Sequence, residues 1–212
     1  MHPYLIPRAT VQTKAMTTAN YVINLVLSAV LIVGAYQFYF FCQRNAVFEP
    51  REFCFRLDEK IPYVPGWVWI YSFLYYPAIL YVNLVVESPS QFTFVASSYM
   101  LLLALQVAFF MAFPVRTPEH WRPRKPATLS ERFLAFVQRF DAPSNSFPSM
   151  HTSVAMLTAM HCYHCHGSAV FLFPLLIGLS CLFTKQHYLI DIPAGAALGW
   201  GVFRLHGSLV GA

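Results

Sequence analysis

Residues 180–195 read Ser180-Cys-Leu-Phe-Thr-Lys-Gln-His187-Tyr-Leu-Ile-Asp191-Ile-Pro-Ala-Gly195, placing a histidine and an aspartate four positions apart in a short break between two apolar runs. Residues i and i+4 share one helix face, so Asp191 can orient the His187 ring and stabilise its charge, as a nucleophile's supporting carboxylate does. The flanking runs, about 169–183 and 188–205, approach the roughly 20 residues that cover a hydrocarbon core of about 30 Å. A break this short between two such runs predicts a helical hairpin.

The rest of the chain agrees with a membrane setting. Of 212 residues, 57% are hydrophobic and 11% charged, against roughly 45–50% and about 25% in soluble proteins. Earlier apolar runs at about 20–41, 66–86 and 92–113, and a fourth from near Pro148 to His166, bring the expectation to an all-α, six-span bundle forming one domain over residues 1–212. The first run is too long for a cleaved leader and lacks a small-residue cleavage site, so it is read as an uncleaved span. Between spans three and four, Thr128-Leu-Ser-Glu131 has the form of a capping box. Leu129, Phe133, Leu134, Phe136, Val137 and Phe140 then recur at helical spacing, which predicts an amphipathic helix lying in the membrane interface. Gly195 and Gly199 form a small-xxx-small pattern that lets another helix approach.

The net charge of +5 comes from basic residues scattered among loops, with no lysine-rich tract of the kind that binds nucleic acid. The expected partners are the bilayer and a lipid carrying a phosphate or phosphodiester. Six spans put loops one, three and five on one side, where a second polar segment, Ser146-Phe-Pro-Ser149-Met-His151-Thr-Ser153, can meet His187. With both ends inside, the inside segments hold Arg8, Lys14 and Arg204 and the other side holds the remaining 11 of 14 basic residues. That runs against the positive-inside tendency, and recruitment of cations to hold phosphate would account for it.

Phosphoryl transfer needs an in-line nucleophile, an acid for the leaving oxygen and cations over the equatorial oxygens. His187 can attack to form a phosphohistidine, Asp191 can hold its other ring nitrogen, and His151 can act as the general acid. Lys185 and a subset of Arg116, Arg122 and Arg124 can bind the oxygens. A helix opening at Ser149-Met-His151 adds free N–H groups and the positive end of a dipole. None of this chemistry calls for a cofactor or a metal.

Pro148-Ser149-Met150-His151, followed by His187-Tyr-Leu-Ile-Asp191, resembles the second and third signature motifs of the type 2 phosphatidic acid phosphatase superfamily. The resemblance implies His187 as nucleophile, Asp191 as its partner, His151 as acid and Ser149 as a phosphate contact. Three departures stand out. Met150 replaces a common glycine. Cys181 follows Ser180 where the family has arginine, with Lys185 as the candidate replacement cation. Of the first family motif only Arg122-Pro123 is matched, with Val115 where its lysine should be. Phe113-Pro-Val-Arg116-Thr-Pro118 and Lys-Gln-His-Tyr at 185–188 resemble the branch that includes inositol phosphorylceramide synthases. Hydrolysis of a lipid phosphate or pyrophosphate and transfer of a headgroup are both open, with a non-catalytic lipid-binding protein as a third reading. The expected location is the bacterial inner membrane, with the active site on the periplasmic side.

Two further features carry alternatives. Cys42 and Cys54 can pair in an oxidising compartment or remain reduced thiols. His161-Cys162-Tyr-His164-Cys165-His166 has metal-ligand residue types, but it lies at the far end of its span with no second cluster to complete it. It is read as ordinary span-end residues.

Overall fold

A computed structural model describes residues 16–53, 55–122, 125–140 and 143–210. Among these the chain is all-helical, with no strand. Arg8, Lys14, Cys54, Pro123 and Arg124 lie outside the described residues, so the Cys42–Cys54 alternative does too.

Helix α1 (Thr18–Arg44) starts where Thr17 accepts from the Asn20 N–H while the Asn20 side chain accepts from the Thr17 N–H. Its polarity is inverted relative to a helix in water. Asn24 is buried, and the Ser28 hydroxyl donates to Asn83 at 3.1 Å, whereas Val22, Ile23, Val26, Val30 and Val33 are more than half exposed. A helix with polar groups inward and branched aliphatics outward is solvated by hydrocarbon. Four helical runs, Thr18–Arg44, Pro65–Val85, Pro89–Ala112 and Met150–Phe183, are long and apolar enough to cross a membrane. This is a membrane protein.

The loop between the first two runs forms a short helix, α2 (Arg56–Lys60). The second run, expected as one helix, is divided into a 3₁₀ turn at Pro65–Trp67, α3 (Val68–Phe73) and α4 (Tyr75–Val85). Pro77 has no N–H for the Phe73 carbonyl, which is enough to interrupt the ladder there. Helix α5 (Pro89–Ala112) begins after Ser88, whose hydroxyl accepts from the Gln91 N–H. The predicted capping box forms at α6 (Leu129–Phe140), where Thr128 Oγ1 accepts from the Glu131 N–H and Glu131 accepts from the Thr128 N–H. Two backbone donors hold the Glu131 carboxyl below its ordinary range.

The last apolar run folds back on itself. Helix α7 (Met150–His166) ends at Gly167, whose φ of +58° suits a residue without Cβ, and α8 (Leu172–Phe183) returns along it. Helix α9 (Asp191–Val210) packs on α7. A Cβ at position 195 would overlap the Ser149 carbonyl oxygen, and one at 199 would overlap that of Ser153. The small-residue stripe is therefore the α7–α9 contact, and it sets α9 directly against the helix that carries His151 in its first turn.

Loops from three parts of the chain knit together over the start of α7. The Arg51 N–H donates to the Pro114 carbonyl, the Arg116 N–H to the Arg51 carbonyl, and the Ser146 N–H to the Val115 carbonyl at 3.0 Å. The Tyr188 hydroxyl donates to the Arg116 carbonyl and accepts from the Phe53 N–H. Val115, Trp121 and Tyr188 are buried beneath these bonds with Phe53, Phe113 and Phe147 packed against them. Loop one buries Asp58, whose carboxylate accepts from the Leu189 N–H.

Candidate active site

Helix α8 ends in a turn that aims His187. Thr184 caps it, the Lys185 N–H donates to the Leu182 carbonyl and the Gln186 N–H to the Cys181 carbonyl, the bond pair of a Schellman motif. Lys185 takes the left-handed position at φ +58°, where glycine would cost about 1 kcal/mol less. Its side chain compensates. The ammonium donates to the Asp58 carbonyl at 2.6 Å and lies 4.7 Å from the centroid of the Trp121 ring. Burial pushes this amine down from its ordinary value.

His187 follows in the loop, not on a helix. The expected shared helix face is absent, because α9 begins only at Asp191. The contact forms by another route. One Asp191 carboxylate oxygen accepts from the Tyr188 N–H at 2.9 Å and faces His187 Nδ1 at 3.2 Å. The same Nδ1 lies 2.9 Å from the Ser146 carbonyl. Both neighbours are acceptors, so Nδ1 carries the proton and Nε2 keeps its lone pair. Asp191 is completely buried and His187 nearly so. The pair lies at the start of α9, where a helix dipole favours a carboxylate.

His151 sits in the first turn of α7, after Ser149 has capped the helix by accepting from the Thr152 N–H. The Ser149 N–H donates to the Asp191 carbonyl, which ties the two catalytic-type segments together. The Met150 and His151 N–H groups, in the first turn, have no intrahelical acceptor. The His151 ring lies 4.5 Å from that of Tyr71, 5.0 Å from Tyr75 and 5.9 Å from His187, centroid to centroid. The sequence held no signal for the two tyrosines beyond an aromatic-rich span, nor for the Ser146 carbonyl.

The proposed cations divide. Arg122 lines a narrow pocket together with His151, His187, Ser146 and Gln186, and its guanidinium donates to the Gln138 carbonyl at 3.2 Å. Arg116 pairs with Glu52 at 2.9 Å on a half-exposed surface. Neither Arg116 nor Lys185 lines that pocket. The narrow pocket adjoins a second cavity of about 400 Å³, and Tyr39, Tyr71, Met150 and His151 line both. Side chains of α1, α4, α5 and α6 enclose it, including Phe133, Phe136 and Phe140 of the amphipathic helix.

Among the described residues, the His and Cys side chains that converge as a metal could require are His151, Cys181 and His187, not those of 161–166. In the latter segment His161 bonds Ser98 and is buried, while His166 bonds the Tyr81 hydroxyl at the exposed end. A family model described as the PAP2 superfamily matches residues 65–205. No curated protein and no solved structure matches the chain.

Proposed function

Because this chain belongs to the PAP2 superfamily, whose members are phosphatases or phosphotransferases, we propose that it removes phosphate from a long-chain lipid phosphate or pyrophosphate through a phosphohistidine. The observation that carries this reading is the junction at His151, where an apolar cavity of about 400 Å³ meets the pocket that holds His187. A lipid chain fits the first, and its phosphate end then points to the narrow second pocket, which has to widen to admit it. His187 Nε2 attacks phosphorus, and His151 gives its proton to the departing lipid oxygen. Water then attacks the phosphohistidine while His151 takes back a proton, releasing inorganic phosphate and free His187. Asp191 and the Ser146 carbonyl hold the ring so that its lone pair stays on Nε2. Arg122 and the N–H groups opening α7 spread over the equatorial oxygens, with Ser149 beside them. Lys185 and Arg116, assigned to phosphate from the sequence, are better read as ties that fix loops one, three and five.

In this reading α7, α8 and α9 are separate crossings, which gives six in all, and α6 lies in the interface over the mouth of the cavity. A headgroup transferase, the activity of the branch resembled at 113–118 and 185–188, is the second reading. His187 and Asp191 lie buried under the aromatic loop cap, and exclusion of water favours an alcohol acceptor over hydrolysis.

The test uses purified protein in detergent with a long-chain lipid phosphate, with and without an alcohol acceptor and with EDTA. Phosphate release, an acid-labile phosphoprotein that disappears in His187→Ala, and insensitivity to EDTA are expected. Product formation only when acceptor is present selects the transferase. Full turnover by His187→Ala would eliminate both.

A further inference from the structure

Cys181 stands where the resembled motif carries an arginine, and the substitution changes what that corner of the site can hold. Its sulfur and one ring nitrogen each of His151 and His187 all lie within 4.8 Å of one another. Bonds of about 2.0–2.1 Å to nitrogen and 2.3 Å to sulfur place the ligands of a tetrahedral zinc ion somewhat closer than that, so the three side chains draw together when an ion binds. Two imidazoles and a thiolate form a soft donor set that favours zinc over magnesium or calcium.

The surroundings support the same ion. Metal-bound histidines donate their other ring N–H to a carboxylate or a backbone carbonyl. His187 Nδ1 faces both, Asp191 at 3.2 Å and Ser146 at 2.9 Å. The arrangement that leaves Nε2 free for phosphorus also leaves it free for a metal. Three protein ligands complete all but one position of the tetrahedron, and the pocket beside Gln186 and Arg122 can supply water for the fourth.

We infer that His151, Cys181 and His187 form a reversible zinc site whose occupation shuts the enzyme off. On binding, the thiol proton leaves to solvent and the thiolate, both imidazoles and one water ligate the ion. The Nε2 lone pair is then committed to zinc and cannot attack phosphorus. The inhibitory half of this inference rests on the phosphohistidine reading. The binding half does not.

Binding is therefore measured without turnover, by titrating metal-free protein with zinc and, separately, with cobalt, whose thiolate complexes absorb in the near ultraviolet. One ion per chain, a cobalt–thiolate band, and affinity lower by at least about tenfold in Cys181→Ser and Cys181→Ala are expected, since even outer-shell losses cost about 10–100-fold. In the phosphatase assay, zinc should suppress each protein's own metal-free rate and EDTA should restore it, with the two variants needing at least tenfold more zinc. Binding that survives both substitutions, or that is lost only in Cys165→Ser, overturns the site. Zinc bound through Cys181 without loss of turnover overturns the shut-off. A chain that binds zinc through Cys181 yet turns over no lipid phosphate leaves the metal site standing and removes the proposed function.

Discussion

Helix α7 carries His151 near its start and His161 toward its far end, and the surroundings of the two rings differ. At the loop-capped end, His151 faces His187, which Asp191 and the Ser146 carbonyl hold, and two pockets meet there. At the other end, His161 bonds the Ser98 hydroxyl at 2.8 Å, and His206 of α9 bonds that of Ser97 at 2.9 Å, with Phe94 against both rings. Neither of these histidines has a carboxylate among its described partners. Nor does either line the two pockets. A serine hydroxyl satisfies a buried imidazole without making it basic or directing a free lone pair at a ligand. A histidine pair becomes reactive through its carboxylate and its cavity rather than through its number in the sequence.

The contrast can be broken most directly by removing one ring from each end. His187→Ala should lower turnover by about 10⁴-fold or more, and His161→Ala by less than about threefold, while it destabilises the fold by about 1–3 kcal/mol through the lost buried hydrogen bond. Initial rates and thermal unfolding of the two proteins check this, and comparable rates would abolish the distinction. His151→Ala should follow, with a loss of about 10²–10⁴-fold, largest for lipids with poor leaving groups. A smaller effect is expected at the cations. Arg122→Ala should cost about 10²–10³-fold, whereas Arg116→Ala, which removes an exposed pair with Glu52, should cost little. Exposed pairs contribute only about 0–1 kcal/mol. Equal losses at the two arginines would return Arg116 to the phosphate.

The helices were legible because hydrocarbon leaves a backbone few choices. The runs at 20–41 and 92–113 appear as α1 and α5, and the Thr128–Glu131 box caps α6 as its spacing requires. The trio His151, His187 and Asp191 could be picked out because ionisable groups amid apolar sequence are costly to keep without a use. Their coming together, expected from counting crossings, is seen in the 5.9 Å between the two histidine rings and the 3.2 Å between His187 and Asp191. Details that depend on loop geometry were not legible. The i+4 spacing of His187 and Asp191 promised a shared helix face, and the contact forms instead across a loop, through the Tyr188 N–H.

What the sequence determined by itself is the membrane setting, the helical class and the candidate trio His151, His187 and Asp191, since each follows from local composition and spacing. Which cation lines the pocket with His151 and His187, the binding of Lys185 to Asp58 and Trp121, and the convergence of Cys181 with two histidines were decided only in the tertiary structure. Flexible side chains such as lysine and arginine reach several ångströms in any direction. Their partners are set by loops distant in the chain, and no local pattern records where those loops meet.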